Sequence, residues 1–222
     1  MKVAIVGDLH GLYTRVNDAA PDTELAIQVG DFGYTNLNSP LKYTFKFKTY
    51  FIAGNHDSID TLKYISDNEN KIGLFSDKLW YIPRGWVELI GNKLVGFLGG
   101  ADTPSPYRAQ LIPNVTLFRG EATETFDLYR LQNNLNAWNR VYNKGGDRGL
   151  DVLITHTPPT SIMAKMVSPV YERQSSHLVE RAVMHFKPAI VYFGHMHVHY
   201  EDTIGNTKLV GLDINEIIQE EW

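Results

Sequence analysis

The sequence predicts an α/β protein in which short buried strands alternate with helices and stop together at one rim. Two observations lead there. Five apolar runs of strand length (residues 2–11, 25–33, 49–57, 151–156 and 189–197) each reach a glycine or threonine and then present Asp, Asn or His. Between and after them lie a stretch of helical spacing and two Gly-Asn turns flanked by apolar residues, the pattern of strands interleaved with helices and hairpins.

Taken in order, residues 2–11 (KVAIVGDLHG) read as the first strand and residues 12–22 as a crossover helix ending near Pro21. Residues 25–33 (LAIQVGDFG) form the second strand. Lys42, Lys46 and Lys48 then interleave with Tyr43, Phe45 and Phe47, which reads as a strand with one wet face or as a stacking stripe for nucleic acid. TYFIAGNHD at 49–57 is the third strand. VELIGNKLVGFLGG folds back at Gly91-Asn92 and is expected to supply strands to the middle of the fold. The Pro-rich stretch 99–108 follows a strand that should end near the same rim. Its Tyr107 and Arg108 are candidate substrate contacts, the alternative being an ordinary surface loop. Residues 123–142 place Phe126, Leu131, Leu135 and Trp138 at roughly helical spacing, to be packed on a sheet face. Residues 144–149 (KGGDRG) are a linker by composition. After the strands at 151–156 and 189–197, a second hairpin turning at Gly205-Asn206 is expected to close the C-terminal edge.

Composition agrees with one compact domain over residues 1–222, long enough to bury a substantial core. The net charge of −4 carries no global nucleic-acid signature. There are no cysteines, so nothing depends on a disulfide or a thiolate. Asp8 interrupts the first apolar run too early for a signal peptide, and no stretch approaches the ~20 apolar residues that span a bilayer. A soluble, cytoplasmic protein with no membrane partner is expected.

A strand delivers its C-terminal residue to one rim of its sheet, so five such ends can converge on one cleft. Delivered there are Asp8, His10, Asp31, Asn55, His156, His195 and His197. Seven oxygen and nitrogen donors are too many for one metal and suit two that share a carboxylate. Asp31 can give one oxygen to each of two ions about 3.5–4 Å apart. In Asp8-x-His10 and His195-x-His197 the partners are two apart, so extended backbone would point both to one side. Two divalent ions, two carboxylates and a bridging hydroxide leave a charge of about +1, which attracts an anionic group. Gly54 is expected to permit a tight turn that aims Asn55 and His56 into the cleft.

The ordered blocks GDLHG, GDFG, GNHD, a strand-terminal His and GHMH, spread over residues 2–197, resemble the signature of the calcineurin-like metallophosphoesterases. The resemblance implies a layered sandwich of two mixed β-sheets flanked by helices, with a dinuclear metal site at strand C-terminal ends. It implies that Asp8, His10, Asp31 and His197 hold one metal and that Asp31, Asn55, His156 and His195 hold the second. It further implies that His56 is no ligand but contacts the substrate and serves as the catalytic acid.

Departures from the family's serine/threonine phosphatases narrow the expectation. Those carry an Asp-Arg pair after the second block and an Arg before the third; here the segments read GDFGYTN and Ala53-Gly54-Asn55-His56. The missing arginine argues against a protein phosphatase and leaves phosphomonoesters and phosphodiesters as substrates. The reaction expected is hydrolysis by metal-bound hydroxide with His56 as general acid, using two divalent ions, Mn favoured over Fe, Zn or Ni. Two alternatives remain: a nuclease acting on DNA or RNA, such as an RNA phosphodiesterase related to lariat debranching enzymes, and a non-catalytic binding scaffold like a retromer subunit of this fold. His177, His185 and His199 lie outside the blocks and are read as packing or surface residues, with His199 also a possible neighbour of the site.

Overall fold

The computed structural model describes residues 1–33, 42–102, 121–166 and 174–222. Within them the strands are β1 (Lys2–Val6), β2 (Leu25–Gln28), β3 (Lys48–Phe51), β4 (Gly73–Leu74), β5 (Leu79–Tyr81), β6 (Trp86–Ile90), β7 (Lys93–Leu98), β8 (Val152–Thr155), β9 (Ile190–Phe193), β10 (Tyr200–Ile204), β11 (Thr207–Gly211) and β12 (Ile217–Glu221). They form two six-stranded sheets, ordered β12-β1-β2-β3-β5-β4 and β10-β11-β9-β8-β7-β6. The two share one plan: four parallel strands in the centre and an antiparallel strand at each edge.

Strands buried on both faces need apolar side chains at successive positions, and these have them. Ile5, Ile27, Tyr50 and Ile52 of the first sheet meet Phe97, Ile154, Tyr192 and Val210 of the second in the central core. The alternate residues Ala4, Val6, Ala26 and Phe51 face outward, under a 3-10 helix (Tyr13–Asp18) and α1 (Ile59–Ile65). On the other side Leu94, Leu98 and Leu153 pack under α2 (Thr125–Tyr142), α3 (Thr160–Met166) and α4 (Gln174–Phe186) through Leu131, Leu135, Ile162, Val179 and Val183. Each large apolar side chain buried this way contributes about 1.5–3 kcal/mol. The layers are helix, sheet, sheet, helix, the two mixed sheets with flanking helices expected from the sequence.

Several local expectations need correction. The crossover helix shrinks to the 3-10 turn, whose buried residues Tyr13 and Val16 are three apart and so share one face at three residues per turn. The Gly91-Asn92 hairpin forms, with Ile90 opposite Lys93, but it lies at the edge of the second sheet, because β7 pairs with β8 and leaves β6 outermost. The Gly205-Asn206 hairpin forms the opposite edge, and the chain then crosses to the first sheet, where β12 pairs with β1. That last strand reads IIQEE, with too little apolar alternation to be seen in advance. Exposed and buried residues alternate as expected from Thr44 to Thr49, but Lys42 and Tyr43 are both exposed, and of the Lys42 to Lys48 stretch only Lys48 belongs to a strand. On α2, Leu131 and Leu135 are buried, whereas Phe126 is exposed beneath the Arg130 guanidinium.

One buried polar network joins the two halves. Glu69 Oε1 accepts from the Tyr81 hydroxyl and from Arg84 Nε, each at 3.0 Å, while Oε2 accepts from Arg130 Nη1 at 3.1 Å. Arg84, only 3% exposed, also donates to the Ala122 carbonyl at 2.6 Å and lies 3.7 Å from the Asp127 carboxylate. Glu69 therefore ties the turn after α1 to β5 and to α2. Glu69→Ala would strand a buried guanidinium and should cost about 3–5 kcal/mol. Urea unfolding measures this; a loss below about 1 kcal/mol would show that water or a rearranged Asp127 replaces the carboxylate.

Candidate metal centre

The central strands end level with one another. Val6 lies opposite Gln28 and Gln28 opposite Phe51 in the first sheet, and Leu98 lies opposite Thr155 in the second. The chain therefore turns out of β1, β2, β3, β8 and β9 at one rim, and the next few residues carry the donors. The structure brings all seven together. Asp8, His10, Asp31 and His197 offer ligand atoms within 4.8 Å of one another, and so do Asp31, His156 and His195. Asp31 belongs to both groups.

In the first group His197 Nε2 is 3.1 Å from Asp8 Oδ2 and 3.0 Å from His10 Nε2, which in turn is 3.9 Å from Asp31 Oδ2. In the second, His156 Nε2 is 3.4 Å from Asp31 Oδ1 and 3.3 Å from Asn55 Oδ1, placing Asn55 with this group. His156 Nδ1 lies 2.9 Å from the Val29 carbonyl, which only accepts, so Nδ1 carries a proton and Nε2 is left facing the donors. Backbone amides fix the carboxylates: His195 N donates to Asp8 Oδ2 at 3.0 Å, and His56 N to Asp31 Oδ1 at 2.8 Å. The donor set fits divalent metal ions, since two carboxylates, a carboxamide oxygen and four imidazoles turn their lone pairs toward shared points.

The backbone at these points differs from the extended form expected. His10, Asp31, His195 and His197 have φ of 45°, 54°, 68° and 52°. All are in the left-handed region, which non-glycine residues seldom occupy. The strands have already ended, so the donors converge by turning rather than by alternation along a strand. Strain of this kind persists where surrounding structure over-determines it, and here it gathers at the candidate ligands. Gly54 also acts differently from expectation: it needs no positive φ, but a Cβ there would stand 2.1 Å from Asp31 Oδ1. Likewise a Cβ on Gly194 would stand 2.0 Å from Asp8 Oδ1. Both glycines let the backbone pass directly beneath a carboxylate from another strand.

The electrostatics follow from crowding. Burial pushes the Asp31 carboxyl up, but His156 and the His56 amide hold it well below the usual carboxylate range. Burial opposes charge on His156 as well, yet Asp31 and Asp8 raise it to about 9. His195, beside it at 5.0 Å between ring centroids, is pushed down to about 3 by burial and by His156. One proton on His156 thus offsets the paired carboxylates, at the place where a cation would sit. Metal binding must displace it, so uptake should weaken in acid.

His56 stands at the mouth of the cleft. Its side chain is 60% exposed, with Nε2 4.0 Å from Asp31 Oδ2 and its ring edge-on to His10 at 5.2 Å. Tyr107 and Arg108 lie outside the described residues. His199 is paired with Glu216 at 2.7 Å, and His185 with Gln132 at 2.6 Å. In the Lys-aromatic stretch Phe45 and Phe47 are buried, Lys46 Nζ donates to the Asn17 carbonyl, and Lys48 lies over Tyr50 and Trp80. Both phenylalanines and these two lysines are used internally, leaving Tyr43 as the exposed aromatic of the stripe. Asp57, which adjacency in the sequence offers as a residue that orients His56, is buried, and its carboxylate accepts from the amides of Gly54, Phe32 and Gly33.

A family profile described as calcineurin-like phosphoesterase matches residues 1–199. This chain belongs to that family. The phosphoesterase is accordingly a hydrolase of phosphate esters in a metal-dependent family. No curated protein matches it. Solved structures resemble its fold at low identity. One is phosphopantetheinyl hydrolase from Mycobacterium tuberculosis, 14% identical with a TM-score of 0.53 over 96% of this chain and 90% of the other. A 5′-nucleotidase candidate from Staphylococcus aureus is 14% identical with a TM-score of 0.53 over 99% of this chain, which spans 50% of it. GAP50, described as the anchor in the inner membrane complex of Plasmodium, is 14% identical with a TM-score of 0.53 over 97% and 72%. No described helix of this phosphoesterase is long and apolar enough to cross a membrane.

Because Asp31 is common to both donor groups of this phosphoesterase, Asp31→Asn should lose far more bound metal than His197→Ala. Metal analysis of the purified variants checks this, and an Asp31→Asn protein with the wild-type content refutes the shared role. Chelation should also lower the melting temperature of the wild type, since metal binds the folded state.

Proposed function

We propose that the protein is a dinuclear phosphoesterase. Asp8, His10, Asp31 and His197 would hold one divalent ion, Asp31, Asn55, His156 and His195 the other, and His56 would be the general acid. The observation that carries this reading is the position of Asp31, with Oδ1 toward His156 and Oδ2 toward His10. Bound divalent ions supply Lewis acidity toward the phosphoryl oxygens and an activated water. The chain does the rest. Asp8 and Asp31 are held from behind by amides, so they do not swing when a phosphate enters. His56 is exposed beside the cleft and belongs to neither donor group, which leaves its ring free to reach a leaving-group oxygen. The oxygen donors of Asp8, Asp31 and Asn55 among the imidazoles favour Mn, with Fe, Zn and Ni as the other choices.

Among the described residues no Lys or Arg pairs with Asp8, Asp31 or the ligand histidines. Among the described residues a terminal phosphate dianion has no fixed cation to meet there beyond the metals, so the site is read as one for phosphodiesters at least as much as for monoesters. The rates on bis-p-nitrophenyl phosphate and p-nitrophenyl phosphate, compared as kcat/KM, should be similar or favour the diester. A strong monoester preference would sink that part of the reading.

The role of His56 has its own test. His56→Ala should retain its metals and melt near the wild-type temperature. On a nucleoside or alkyl ester its rate should fall by about 10²–10⁴, the usual worth of a general acid. On a p-nitrophenyl ester the loss should be much smaller, because p-nitrophenolate departs without a proton. Equal losses on both would make His56 a phosphate contact, and loss of metal would make it a ligand.

A further inference from the structure

Asp57 directly follows His56 and is fully buried, yet it belongs to neither donor group. Its Oδ2 accepts from the amides of Gly54 at 2.8 Å and Phe32 at 3.3 Å, and its Oδ1 from the amide of Gly33 at 2.9 Å. Phe32 follows Asp31, and Gly54 precedes Asn55. One carboxylate therefore fastens the turn after β2 to the turn after β3, immediately beside two candidate ligands.

The first of those turns is bound onward to its neighbour. The amides of Leu9 and His10 both donate to the Asp31 carbonyl, at 3.1 and 2.9 Å, and the Gly11 amide donates to the Phe32 carbonyl at 3.0 Å. Main chain thus locks the turn after β1 to the turn after β2, while a side chain locks the turn after β2 to the turn after β3. The chemistry suits the residue type. Three amides aimed at one side chain need a group that only accepts, with oxygens on two sides. An ionised carboxylate has about four acceptor sites, whereas Asn would turn an NH₂ toward one of the donors.

We propose that Asp57 is a positioning residue that sets the spacing of Asp31 and Asn55 before metal arrives. It acts through the backbone and touches neither substrate nor metal. This rests on the metal-centre reading above. Partners of this kind behind a metal site typically change affinity by about 10–100-fold when altered.

The test is Mn²⁺ titration of wild type and Asp57→Asn by calorimetry, with Zn²⁺ and Ni²⁺ in parallel, far below the melting temperature of either protein. A folded Asp57→Asn should bind the weaker ion about 10–100-fold less tightly. A variant that melts earlier but binds metal as wild type does would show a merely structural role and overturn the proposal. Hydrogen exchange on metal-free wild type needs no variant and decides the matter if Asp57→Asn fails to fold. Slow exchange at the amides of Phe32, Gly33 and Gly54 supports a preset spacing, and rapid exchange at all three overturns it. A wild type that takes up none of the three metals removes the metal-centre reading and this proposal together; metal uptake equal in both proteins removes this proposal alone.

Discussion

The even ending of the parallel strands is the constraint on which the rest depends. Parallel pairing carries neighbouring chains in one direction, so their C-terminal ends arrive at the same rim, and level register makes them arrive at the same height. Had β2 slipped by one residue against β1, its side chains would have exchanged faces, and Ile27 would have left the central core. The core between the sheets therefore holds the register, and the register holds the donors at the rim. Stability in the apolar layers and geometry among the polar residues are in this sense one problem.

Bringing the donors together has an electrostatic cost that the framework must bear. Two buried carboxylates and a ring of imidazoles repel one another or compete for protons unless something cationic lies between them. In the metal-free chain a proton on His156 takes that part. The amides of His195 and His56 and the carbonyl of Val29 keep the side chains from relaxing away. What holds Asp8, Asp31 and His156 in place is largely backbone, whose groups cannot titrate away or rotate freely.

Much of this was legible in the sequence, and the reason is physical. A strand buried on both faces must be apolar throughout, so an abrupt Asp, Asn or His after glycine stands out against it. That contrast made the five runs and their seven donors readable, as Gly-Asn dipeptides did the hairpins. Less legible were features whose signal is tertiary. β12 is a charged edge strand with little pattern of its own. The partnership of Glu69 with Arg84 and Arg130 spans distant segments and leaves no local trace. Asp57 is visible in the sequence as a neighbour of His56, but its hold on the amides of Phe32 and Gly33 reaches a distant turn and leaves no local trace. The left-handed turns at His10 and His197 also ran against the simple expectation from two-residue spacing, because the strands stop before the donors begin.

The glycines under the carboxylates have a consequence for how such a centre can be altered. At Gly54 and Gly194 the missing methyl group is space already occupied by an oxygen belonging to another strand. The backbone of one segment and the side chain of another thus share a single volume, and neither has a private allotment. A change of residue at Asp8 or Asp31 is therefore also a change in the packing of the turns before His195 and Asn55. Altering this cluster of donors is better pictured as replacing an interlocked set than as exchanging individual residues.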